Sequence, residues 1–261
     1  MGVVADDFDA RVRQARWAVR RWEAFPVGAQ PRPLVFAGPV VISERGFRTG
    51  EAKDAWFAGE YEWAVEVPDG VRARAKLSAD RGRDEPVAEP LRITHAGRGE
   101  REFATDRGLA VLPAYWLRGP AITRSLWVLD PAVDYWEPPE GAGGAAPPAP
   151  TQVQPMLWPV ETGADWQSLV IPWLGSSPQV ETFPSVKLVE TSTAVSAVAI
   201  RKDMGFRGWA TSVGIKHCVA ARLQKPLGNR VFVDLHGNPL PVMTAPDIAA
   251  LEEVRLMRGR R

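Results

Sequence analysis

The chain has 261 residues, 45% of them hydrophobic and 24% charged, and a formal net charge of +1. That length accommodates one large domain or two ordinary ones with real cores, and the balance excludes both a disordered polyelectrolyte and the strongly positive field that non-specific nucleic-acid binding requires. A single cysteine excludes an internal disulfide framework.

The opening MGVVADDFDARVRQ has no apolar core of signal-peptide length, and Asp6 stands where a myristoylation signal needs Ser or Thr. No apolar run approaches the ~20 residues of a bilayer span, so the expectation is a cytoplasmic protein without a membrane span. Residues 6–24 then show Phe8, Val12, Ala15, Val19 and Trp22 at alternating steps of four and three, the stripe of an amphipathic helix that Pro26 stops. Asp6, Asp7, Asp9 and Glu23 dilute its basic face, so it is expected to pack on the domain that follows rather than on a membrane.

Strands are expected around 34–42, and a short helix over 50–59. Residues 60–77 read as a hairpin. Tyr61, Trp63, Val65 and Val67 alternate with glutamates, Pro68-Asp69-Gly70 supplies a turn, and Val71, Ala73, Ala75 and Leu77 alternate with Arg72, Arg74 and Lys76. In that register Glu66 would face Arg72 and Glu62 would face Lys76. Strands are expected again at 110–117 and 124–130. The proline- and glycine-rich stretch 138–155 reads as a linker. It contains Gly141-x-Gly143-x-x-Ala146, but neighbouring prolines exclude the strand and helix that a dinucleotide fingerprint needs.

Beyond it, strands are expected at 167–173, 185–191, 194–201, within 210–223, and at 230–235, with His236-Gly237-Asn238 as a turn. Thr244, Pro246 and Asp247 announce a closing helix carrying Ile248, Leu251 and Val254. The fold class is therefore mainly β: two β-sandwich or partial-barrel domains with a helix at each end. The organisation is a helix over 1–26 packed on a domain of 27–137, a linker over 138–155, a second domain of 156–243, and a helix with basic tail over 244–261.

Four stretches, ATDRGLAVLPAYWL (104–117), LWVLDP (126–131), VETSTAV (189–195) and PLGNRVFVD (226–234), resemble a family of bacterial all-β proteins with no assigned activity. The resemblance implies paired β-domains and carries no catalytic residue with it.

Little in the sequence points to chemistry. His217 and Cys218 are adjacent in GIKHCVAARL, but neighbours on a strand project to opposite faces, whereas a thiol and its base must share a hydrogen bond. Asp234 and His236, two apart in VDLHGN, would share a strand face and could hold Mn, Fe or Zn as in the first motif of metallophosphoesterases. Turn chemistry for His236-Gly237-Asn238 is the competing reading. Phosphate-loop, nucleophile-elbow, metalloprotease and paired-cysteine zinc patterns do not occur.

Eleven tryptophans remain. Trp158, Trp166 and Trp173 lie in a weakly periodic, proline-containing stretch and, with Trp22, are the candidate binding residues. The sequence thus favours a binding or structural protein that engages a protein partner or itself and needs no cofactor. A metal-dependent hydrolase using Asp234 and His236 is the alternative.

Overall fold

The computed structural model describes residues 3–44, 46–77, 89–147, 158–206 and 214–251. The 148–155 part of the expected linker, residues 210–213 of the expected 210–223 strand, and the expected helical position Val254 with the basic tail lie outside them.

In chain order, helix α1 (Val3–Arg20) is followed by β1 (Val41–Ser43), α2 (Gly50–Ala58), β2 (Tyr61–Trp63) and α3 (Asp69–Lys76). Then come β3 (Leu91–Ile93), β4 (His95–Thr105), β5 (Gly108–Arg118) and β6 (Leu126–Leu129). The second half holds β7 (Val160–Thr162), β8 (Ser168–Gly175), β9 (Glu181–Glu190), β10 (Ala194–Asp203), β11 (Ile215–Arg222), β12 (Val231–Val233) and β13 (Val242–Thr244). Residues 245–251 are helical, with the Thr244 hydroxyl donating to Asp247 at 2.5 Å. The fold is mainly β. No helix among the described residues is long and apolar enough to cross a membrane.

The chain divides into two compact units. The first comprises Met1–Ala37, Asp106–Gly108 and Trp136–Arg261. Its strands form two sheets, ordered β12-β10-β9 and β11-β8-β7-β13. Leu169, Ile171 and Trp173 of β8, Val195, Ala197 and Ala199 of β10, and Phe232 of β12 contribute to one buried cluster. β10 is buried on its other face as well, where Ala194 and Val198 meet α1.

That second buried face explains where the first helix goes. Val12, Ala15 and Val19 of α1 and Trp22 just beyond its end are the buried stripe, as the spacing requires, and they pack both on the nearby Phe25 and Val35 and on strands far along the chain. Val12 and Ala15 pack with Val198 and Leu235, while Val19 and Trp22 pack with Ala194, Val231 and Val233. An alternating strand offers only one apolar face; β10 reads AVSAVAI and offers two, so a helix is needed to cover the outer one. Arg11 is buried there too. Its guanidinium donates to the Ala199 carbonyl at 3.3 Å and pairs with Asp7 at 3.3 Å, and burial still lowers its pKa.

The second unit comprises Gly38–Thr105 and Leu109–Tyr135. It carries a sheet ordered β1-β6-β5-β4 and a parallel pair, β2 with β3. α2 is the expected short helix. Thr49 caps it by accepting from the Ala52 N–H at 3.2 Å, and Gly59 closes it at φ 70°.

The expected hairpin over 60–77 is not formed. β2 ends at Trp63, and Asp69–Lys76 is helix α3. Residues 71–77 satisfy two periods at once. Val71 and Ala75, four apart, are fully buried as one helical face, whereas Leu77, which a strand would bury with them, is 54% exposed. Alanine and arginine favour the helix, and Asp69 in its first turn with Arg74 and Lys76 in its last suit the dipole. Gly70 serves close approach rather than a left-handed turn, since a Cβ there would lie 2.9 Å from Pro131. The Glu66–Arg72 and Glu62–Lys76 ladder therefore does not exist.

Candidate docking surface

His217 and Cys218 sit on β11, paired with Trp173 and Pro172 of β8. The His217 ring meets Phe183 edge-on at 4.9 Å, and its Nε2 lies 2.7 Å from the Ser176 carbonyl, while Cys218 is exposed. Strand alternation thus gives the imidazole a packing role and leaves the thiol apart from it.

Asp234 and His236 are not on a strand. β12 ends at Val233, and residues 234–238 form a turn in which the Asp234 N–H donates to the Asn238 carbonyl at 2.9 Å. One carboxylate oxygen of Asp234 accepts from the N–H groups of His236 and Asn238, both at 2.8 Å, and the other accepts from the Asn238 amide at 3.1 Å. The carboxylate is the internal acceptor of an Asx-type turn, and the His236 side chain is exposed. Among the described residues no group of three or more His, Cys, Asp or Glu is placed to hold a metal.

The tryptophans divide differently from expectation. Trp22 is 1% exposed and Trp173 2% exposed; both are core. The Trp22 indole N–H donates to the Gly237 carbonyl at 2.9 Å and the ring lies against Trp136 at 4.9 Å. Trp173 is on β8 and projects into the first unit's central cluster, which the sequence obscures because Pro172 interrupts its alternation. Trp158 and Trp166 are half-buried, each beneath a cation: Lys216 lies 5.5 Å from the Trp158 ring, and Arg107 5.3 Å from the Trp166 ring. In the second unit Trp116 and Trp127 pair across β5 and β6, with Arg118 and Arg101 over their rings at 4.9 and 5.7 Å. Gly97 makes room for the first: a Cβ there would fall inside contact distance of the Trp116 ring.

An accessible apolar stripe lies elsewhere, on β5; Leu77, Ile200, Met204, Phe206 and Ile215 are the other large apolar side chains exposed among the described residues. β6 pairs with β5 only from Ala114 to Leu117, and the last bond beyond that register runs from the Asp130 N–H to the Pro113 carbonyl at 3.0 Å. N-terminal to it, Leu109 is 45% exposed, Val111 61% exposed, and Pro113 is exposed. These are successive odd positions of one strand, so they share a face. Further along β5 the same parity brings Tyr115 and Leu117 onto the second unit's core. The apolar face of β5 therefore runs on past the elements that cover it.

Charge borders this stripe. The parity that sets Arg98 over Tyr115 at 5.5 Å puts Glu100 and Glu102 of β4 on the same face as Val111 and Leu109. Glu100 is exposed and Glu102 half-buried. Arg98 is held by Asp130 at 2.6 Å, and this bond raises its pKa. The Asp130 pKa is lowered, first by the hydrogen bond it accepts from the Ala132 N–H and then by Arg98 and Arg74.

Sequence reasoning passed over Leu109, Val111 and Pro113. GLAVLPA is apolar at every position, so alternation names no outward face. The available signal was Pro113, since proline within a strand marks an edge or the end of a ladder.

Comparison with family models, curated proteins and solved structures finds no match for the chain.

Proposed function

We propose that this chain is a binding protein that engages a protein partner, and that the exposed stripe Leu109, Val111 and Pro113 on β5 is the contact. The observation that carries the reading is the uncovered continuation of an otherwise buried strand face: two large aliphatic side chains and a proline, adjacent and open to water. Edge strands in natural proteins are usually blunted by charge, bulges or covering elements, and apolar surface left grouped in this way marks interaction sites. Two separate β-rich domains, sandwiches or partial barrels, belong to the same proposal. Its support is that each unit has its own fully buried cluster, around Ile171 and Phe232 in one and around Ile93 and Leu126 in the other.

A photo-crosslinking amino acid at position 111, in the native host, tests the contact. The expected result is a discrete adduct with one protein, reduced by Leu109→Asp and missing when the crosslinker replaces the exposed Leu77. The same adducts from both positions, or none from position 111, would refute the reading.

A further inference from the structure

We infer that the partner binds as an added β-strand along β5, and that it is an extended segment alternating apolar residues with lysine or arginine. This rests on the docking surface proposed above and specifies its occupant. In an antiparallel strand the backbone groups of alternate residues point to the same side. The Pro113 carbonyl points toward β6, where it accepts from the Asp130 N–H, so the N–H and carbonyl groups of Val111 and Leu109 point to that side too. Among the described residues no strand pairs with β5 there, since its ladder with β6 begins at Ala114. Pro113 has no N–H to offer, which ends the ladder at that point and leaves the next two donors beyond it.

The side-chain face completes the specification. A strand laid beside Leu109–Pro113 would set alternate side chains next to Val111 and Leu109. The exposed Glu100 lies across that stripe on β4, about 10 Å from the incoming strand. A lysine or arginine fits the interval, because its apolar stem covers the aliphatic side chains while its charged head reaches the carboxylate. An acidic segment would face like charge there. Main-chain pairing supplies affinity and the alternating side chains supply selection, as in other cases of strand addition.

The test uses the full chain and two short capped peptides, one alternating valine and lysine, the other valine and glutamate. Binding of the lysine peptide is expected to protect the Leu109 and Val111 amides from hydrogen exchange. The glutamate peptide should bind about tenfold more weakly, and Glu100→Lys should reverse the preference. A lysine peptide N-methylated on its β5-facing amides should not bind. Binding without amide protection overturns strand addition, and equal binding of the two peptides overturns the charge assignment. Failure of both peptides while the position-111 adduct persists overturns this inference and leaves the docking surface standing. Loss of the adduct as well removes the surface itself. Because Val111, Glu100 and the peptide-facing edge are exposed, circular dichroism of each variant should match the parent.

Discussion

Replacing Trp22 with alanine separates a core indole from a binding one. A buried tryptophan removes ~150–250 Å² from water, and at about 25 cal/mol per Å² the side chain is worth ~4–6 kcal/mol as an upper bound. Large-to-small substitutions of buried aromatic residues cost about 3–5 kcal/mol. Trp22→Ala also strips the donor from the Gly237 carbonyl and opens a void against Phe25 and Trp136, whose rings lie 5.8 and 4.9 Å from the indole. A loss of about 4 kcal/mol is expected, a large part of the ~5–15 kcal/mol that a domain possesses. Since two units need not unfold together, the measurement should be local: amide exchange on β10 and β12, which lie under α1, alongside urea unfolding. Trp22→Phe keeps most of the packing and should lose about half as much. A loss below about 1 kcal/mol for the alanine variant, with partner binding impaired, would return Trp22 to the surface role that its sequence suggested.

Three further outcomes follow from local geometry. Asp234→Ala removes the acceptor of two backbone N–H groups and should cost about 1–2 kcal/mol, whereas His236→Ala should fall within about 0.5 kcal/mol of the parent; the reverse order in urea unfolding would mean that the imidazole has a role beyond the turn. Gly97→Ala drives a methyl into the Trp116 ring and should cost about 1–3 kcal/mol with a changed indole environment by fluorescence, so an unperturbed spectrum would contradict the packing described. Asp165 accepts from the N–H groups of Ser168 and Gln167, chiefly the former, and these hold its pKa at about 2, below the ordinary 3.8. Because the folded pKa is depressed, its contribution is complete above pH ~4 and is lost as pH falls through about 2; NMR titration should place the Asp165 midpoint there, and a midpoint near 4 would exclude those bonds.

The sequence was most legible where one period had no competitor. The α1 stripe holds residue by residue because its helical spacing has no strand equivalent, and α2 carries both of its caps in its letters. Residues 71–77 fail because arginine at every second position and alanine between them suit a helix as well as an alternating strand, and only the burial of Val71 with Ala75 against the exposure of Leu77 decides. What α1 packs on was legible only in part. Phe25 and Val35 are near in sequence, whereas Ala194 and Val198 lie on the outer face of a strand about 180 residues away, and no local pattern reports which of two apolar faces a helix will take. The candidate site was hidden for a related reason: on β5 the buried and open parts have the same composition, and exposure depends on where β6 stops.

Arginine outnumbers lysine 26 to 6 in the chain, and four of the arginines show a use that lysine does not meet. Arg98 stacks on Tyr115 and pairs with Asp130; Arg74 stacks on Tyr135 and donates to the Asp130 carbonyl at 2.6 Å. Arg107 stacks on Trp166 and donates to the Gly228 and Arg230 carbonyls at 2.6 and 2.7 Å, and Arg118 stacks on Trp116 and donates to Ser125 at 3.1 Å. Each guanidinium lies over a ring and donates to an oxygen at the same time, a combination that a planar fork of donors suits better than a lysine ammonium at the end of a flexible stem. Indoles and phenols held in this way are taken up by the protein itself. A chain rich in tryptophan therefore need not be one that binds through tryptophan, and here the stripe proposed as the contact consists of aliphatic side chains on a strand, exposed by geometry rather than by residue type.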